Sequence, residues 1–350
     1  MNAFLVSARA IHFASSMLLF GELVFAVYVA KLTLVRPSAM NTEAVGDAAC
    51  FVWRMLSWSL LGAFASGLAW LAAEAILMSG LPVAQAITPQ TFRVVLTDTN
   101  FGHVWLVRLA LLITLSVLLG TIRTSDMPRT HRLMVGLLFL AALFLAALAW
   151  AGHAGAAEGA RRSVNLVSDV LHLLAAGAWT GALPALVVLL GSASPLEHIV
   201  SSVERFSVMG ATSVATLVVT GLVNSWLLVG SLQSLLGSEY GRLLLVKISF
   251  FTIMLAVAAV NRTALTPRLK RQHGARAMRI LRRNSIIESA ISIVVVCIVA
   301  ELGITVPGLH HAMTMRMAHS RGESPHDRKY LPPIGDSSGR EFTEQDTRGP

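Results

Sequence analysis

Residues 132–152 read RLMVGLLFLAALFLAALAWAG, and past Arg132 the stretch holds no charged side chain. A helix of that length rises about 30 Å, which is the thickness of the hydrocarbon core of a bilayer. Open strands cannot cross lipid, because their backbone donors and acceptors would go unpaired, so the stretch is read as a helix. Runs of the same kind recur at 4–32, 51–79, 103–122, 164–191, 205–230, 241–261 and 285–306. The chain is therefore expected to be an all-α integral membrane protein of about eight transmembrane helices. Composition agrees: of 350 residues 55% are hydrophobic and 13% charged, where soluble domains carry about a quarter charged. The mean hydropathy is +0.66. Arg9, His12 and Glu22 sit inside the first run, and no basic stretch precedes it. Its apolar character also extends to about Val35, so it reads as a span and not as a secretory leader.

The formal charge of +9 does not point to nucleic acid. Between the seventh and eighth runs lie Arg262, Arg268, Lys270, Arg271, Arg276, Arg279, Arg282 and Arg283, with no acid among them. By the positive-inside rule this connection is cytoplasmic, and eight spans then put both termini in the periplasm. Lys31, Arg36, Arg54, Arg123, Arg129 and Arg132 fall on the same side, whereas Arg161 and Arg162 fall on the other. The two cysteines, Cys50 and Cys297, are far apart and form no metal-spaced pair, so both are expected as free thiols.

An internal repeat is legible. Thr99-Asn100-Phe101-Gly102, with Arg108 and Arg123, matches Ser238-Glu239-Tyr240-Gly241, Lys247 and Arg262 at a constant offset of 139. Ser66-Gly67-Leu68 echoes Thr220-Gly221-Leu222, and His12 with Gly21 echoes His172 with Gly181. The expected organisation is two parallel four-helix repeats, 1–152 and 153–306, followed by a polar, flexible tail at 307–350.

Polar groups within a membrane are costly and are either paired or functional. His12 lies about 12 Å below the start of its run. His103 opens the third run, His153 closes the fourth and His172 stands near the start of the fifth, so all four share the periplasmic half. Four imidazoles at one depth on separate helices can build a metal site; singly, each also reads as an interfacial or hydrogen-bonded residue. Asp169 and His172, three apart, share a helix face that Trp179 continues one heptad on. The carboxylate is a candidate to orient a ligand histidine from outside its coordination shell, or a helix-start partner of the dipole. Glu74 and Glu301 lie near the outer ends of their runs, while Glu22, Arg108 and Lys247 lie within spans and are expected to pair structurally. In the tail, His310, His311, Met313, Met315, Met317 and His319 offer soft and borderline ligands to a metal such as Cu(I).

Taken in order, Ala151-Gly152-His153-Ala154, Asp169-x-x-His172, Gly177-x-Trp179-x-Gly181, Thr220-Gly221-x-x-Asn224, Tyr240-Gly241 with Lys247, and Asn261-Arg262 resemble the CopD copper-resistance family. The resemblance implies copper, where spacing alone implied only a metal-capable cluster. It implies copper transport or transfer at a bacterial inner membrane, with copper received from a separate periplasmic copper-binding protein of CopC type. The partners expected are that protein and membrane lipids. No phosphate-binding Gly-rich Lys-Ser/Thr loop occurs, so movement is expected to run on a gradient or on ligand exchange, without enzymatic catalysis. The alternatives are a b-type haem redox protein, using His12 and His172, and a copper-delivery assembly factor.

Overall fold

The computed structural model describes residues 2–32, 47–122, 127–151, 159–229, 232–270 and 274–305. Among them there is no strand, and eight helices are long and apolar enough to cross a membrane. These are α1 (Asn2–Val24), α2 (Asp47–Ser79), α3 (Asn100–Thr121), α4 (Met127–Ala146), α5 (Gly159–Thr180), α6 (Leu196–Val229), α7 (Glu239–Val260) and α8 (Gly274–Leu302). The all-α, eight-span expectation stands. His153 and the His/Met set from His310 to His319 lie outside the described residues. Among the described residues neither Cys50 nor Cys297 forms a disulfide.

Of the eight spans α1 is the most buried and α7 the least, so α1 is the axis of the bundle and α7 faces outward. It packs on α2, α4, α5 and α8. The α1–α5 contact is made by small residues. A β-carbon on Gly21 would overlap the backbone of Gly181 and the Gly177 carbonyl, and one on Gly181 would overlap the Met17 carbonyl. Glycine lets the two backbones touch, which is how apolar helices gain dispersion contact in lipid.

Both central helices lose regularity just past this crossing. The α1 helix widens into a π turn at Phe25–Val29. The 164–191 run, expected as one helix, ends at Thr180, turns at Gly181-Ala182 and restarts as Leu183–Leu189. Pro184 explains the restart, since its ring breaks an α-helix interior but suits a first turn.

A second departure lies between α2 and α3, where Val83–Ala86 and Pro89–Asp98 are short helices. The longer is capped by Thr88, whose hydroxyl accepts from the Thr91 amide at 3.2 Å. It rests Val95 against Leu71 and Ala75, with Phe92, Phe101 and Trp105 around them. This accounts for the Phe101-Gly102 motif. Thr99 Oγ1 accepts from Gly102 N at 2.9 Å, opening α3, and a β-carbon on Gly102 would strike the backbone of Val95 and Leu96. Before α7 the geometry is the same: Ser238 Oγ accepts from Gly241 N at 2.9 Å, and Gly241 abuts the Leu235 backbone in the short helix Leu232–Gly237. Gly102→Ala and Gly241→Ala should each cost about 1–3 kcal/mol by overpacking, read as a lowered thermal midpoint in detergent. Gly136→Ala, with open space around it, should cause no loss.

Candidate functional site

His12 is buried between α1, α2 and α3, and both its ring nitrogens are engaged. Nδ1 lies 3.0 Å from the Ala63 carbonyl and 3.1 Å from Ser66 Oγ. A carbonyl only accepts, so Nδ1 carries the proton and Nε2 presents a lone pair. That lone pair accepts from Arg108 Nη2 at 2.8 Å. The buried guanidinium also donates to Ser16 Oγ at 3.1 Å and to the Phe144 carbonyl, with its carbon 4.1 Å from the Phe144 ring centre. Nearby, Arg9 stacks on Trp70, whose indole donates to Glu74 Oε1 at 3.0 Å.

His172 has the corresponding place between α5, α6 and α7 and a different environment. Nδ1 lies 2.9 Å from Thr220 Oγ1. The Thr220 hydroxyl proton goes to the Thr216 carbonyl at 2.7 Å, so the imidazole is the donor and again holds its proton on Nδ1. Among the described residues nothing bonds its Nε2, the nitrogen a metal would take. Thr220 therefore sets the tautomer, the role expected for Asp169. The Asp169 carboxylate instead accepts from Asn224 Nδ2 at 2.6 Å. The motif Thr220-Gly221-x-x-Asn224 thus grips Asp169-x-x-His172 residue for residue. Gly221 leaves room for the ring, as a β-carbon there would lie 3.9 Å from His172 Cε1.

Two further acceptors at this end of α5 and α6, Asn165 Oδ1 and Asn224 Oδ1, are buried without a hydrogen bond among the described residues. Asn165, Asp169 and His172 follow one another at helical spacing, so they share a face of α5. Lys247 of α7 lies within electrostatic reach of both Asp169 and His172. The α5–α6 end therefore carries unbonded lone pairs on Asn165 Oδ1, Asn224 Oδ1 and His172 Nε2, with the Asp169 carboxylate and the Lys247 ammonium in electrostatic reach of each other. Such a set can receive a cation. At His12 the same position is filled by the Arg108 guanidinium.

His103 is exposed in the first turn of α3. Among the described residues no group of three or more His, Cys, Asp and Glu side chains is gathered for a metal. Glu22 does not pair with Arg108 or Lys247: it is wholly buried, and among the described residues neither carboxylate oxygen has a hydrogen-bond partner. Asn165 and Thr220 were missed as site residues. The i, i+4 spacing of Thr220 and Asn224 opposite an i, i+3 Asp/His pair was the available signal.

Residues 1–164 match the family described as copper resistance protein D-like, N-terminal domain, and residues 200–302 match copper resistance protein D. Copper resistance protein D of Pseudomonas syringae pv. tomato is 34% identical over 230 residues, 62% of this chain and 72% of that protein. Inner membrane protein YebZ of Escherichia coli K12 is 32% identical over 305 residues, 86% of this chain and 98% of that protein. Copper transport protein CutJ of Bacillus subtilis is 31% identical over 180 residues, 50% of this chain and 33% of that protein. No solved structure matches the chain. Thr220, Asn224 and Lys247 fall inside the second matched stretch, and both halves of the bundle are covered by a match, so the chain belongs to the copper resistance protein D family.

Proposed function

We propose that this protein moves or hands over copper at a bacterial inner membrane, and that copper is its cargo at the outer end of α5 and α6. The carrying observation is the open Nε2 of His172 beside the Asp169 carboxylate and the unpartnered amide oxygens of Asn165 and Asn224. Imidazole nitrogen and carboxylate oxygen both suit copper, and a neutral imidazole held at Nδ1 by Thr220 is ready to bind through Nε2. Lys247 balances the Asp169 charge while the cargo is away. The names of the relatives, two of them for copper resistance or transport and one for the inner membrane, support the same reading.

In this reading both termini are periplasmic, and the tail ligands His310, His311, Met313, Met315 and Met317 collect copper from a separate periplasmic carrier of CopC type. The bundle is built as two parallel four-helix repeats, 1–152 and 153–306. Their matching caps at Thr99 and Ser238, and the like placement of His12 and His172, support this. Nothing favours the haem alternative, since Arg108 occupies the Nε2 that His12 would offer to iron.

The test is copper content of the full chain purified in detergent and loaded both with and without reductant, so that Cu(I) and Cu(II) are each offered, with an optical spectrum taken alongside. His172→Ala should lose one bound copper per chain and lower copper tolerance in cells, while His12→Ala should retain it. Equal retention by His172→Ala and the parent would sink the assignment. A Soret band would replace it with the haem reading.

A further inference from the structure

A cavity of about 290 Å³ lies between α6 and α7, lined by none of Asn165, Asp169, His172, Thr220 and Asn224, and walled also by Trp179 of α5 and by Leu281, Ser285 and Glu288 of α8. Its surface is mostly apolar, with Trp179, Phe206, Val214 and Leu255 among the lining side chains. One acid lines it. Glu288 of α8 is 2% exposed, and its Oε1 accepts from Asn261 Nδ2 at 2.7 Å. Asn261 is itself aimed by Asn284, whose Nδ2 donates to Asn261 Oδ1 at 2.7 Å. The amide chain therefore holds the carboxyl group in place from one side. Among the described residues no cation pairs with it. Arg262, the cationic side chain on the lining, is exposed and donates to the Ser207 carbonyl at 2.6 Å and its hydroxyl at 3.1 Å.

A buried carboxylate without a counter-charge is costly, and a cation brought beside it removes that cost. The walls decide which cation. A bare metal ion would meet a single carboxylate and hydrocarbon, far short of the oxygen shell that hard ions take. Trp and Phe attract an organic cation over their rings, and apolar walls bury its body. A lipid chain would fill the walls but leave Glu288 unanswered. We propose that this cavity binds a lipophilic organic cation, with its charged nitrogen on Glu288 and its apolar body against Trp179 and Phe206. The site is independent of the copper reading.

The probe is benzyltriethylammonium, titrated by calorimetry into the full chain in detergent, with N,N-diethylbenzamide as an uncharged molecule of similar size. Saturable binding of one ammonium per chain, weaker for the amide, is expected. Glu288→Gln, which keeps the side chain's size, should weaken ammonium binding about tenfold or more and leave the amide unmoved. Ala211→Trp, which fills the cavity from α6, should abolish ammonium binding with an unchanged thermal midpoint. Equal affinity for the charged and neutral probes would overturn the proposal in favour of a lipid-chain pocket. Unchanged binding in Glu288→Gln, or no binding by the parent, would overturn it outright. If Glu288→Gln does not fold, the charged–neutral comparison and Ala211→Trp decide the matter alone.

Discussion

Gly21→Leu should leave no folded protein in detergent, and Gly21→Ala should cost about 3 kcal/mol or more. The β-carbon of either side chain would enter the backbone of Gly181 and the carbonyl of Gly177. Side chains can rotate away from an intruder, but a helix backbone cannot, so α1 and α5 would have to separate along their contact. Overpacking ordinarily costs about 1–3 kcal/mol, and this site is at the upper end or beyond because both partners are main chain. The contact also joins the first four helices to the last four, so its loss affects the whole bundle. Thermal unfolding with size-exclusion profiles reads the effect, and Gly120→Ala, which has nothing within 4 Å of the new atom, is the control. A Gly21→Ala midpoint equal to the control's would mean that the helices do not cross at these glycines.

The number and order of spans were legible because a bilayer imposes a length on any helix that crosses it, and length can be counted in a sequence. All eight runs became helices, but α6 begins at Leu196 and α8 at Gly274, well ahead of the expected starts at 205 and 285. The π turns at Phe25–Val29 and Asn261–Leu265, the helix Pro89–Asp98 and the break at Gly181 were not read, although Pro184 is a local mark of the last. Thr88-Pro89 was the one local mark of that helix, a capping hydroxyl before a proline.

Position along a helix can be counted in a sequence, but facing cannot. His12, His103 and His172 were expected to share the periplasmic half. Yet His103 points outward, His12 is closed by Arg108, and His172 has an open nitrogen. A sequence states how far along a helix a residue lies; which neighbour it meets depends on helix rotation, which weakly amphipathic membrane helices hardly encode. The intramembrane charges show the same limit. Pairing was expected among Glu22, Arg108 and Lys247, yet Arg108 satisfies itself with neutral acceptors and Glu22 has no hydrogen-bond partner among the described residues.

Arg108→Ala should therefore destabilise the first half by about 3–5 kcal/mol, the range for removing a buried, fully bonded charge. The guanidinium is 5% exposed and ties α3 to His12 and Ser16 of α1 and to the Phe144 carbonyl of α4. Alanine strands the His12 lone pair in an apolar interior and empties the volume against Phe144. Arg108→Lys should fall between, because one ammonium cannot reach three acceptors on two helices in the planar fork that guanidinium provides. Arg108→Met should cost less than alanine, since it refills the space and removes the price of burying a charge. The order parent, Met, Lys, Ala would locate the loss mainly in volume, whereas parent, Lys, Met, Ala would locate it in the hydrogen bonds. Thermal midpoints of the three variants separate these. An Arg108→Ala midpoint equal to the parent's would show that the network around His12 does not hold α1, α3 and α4 together.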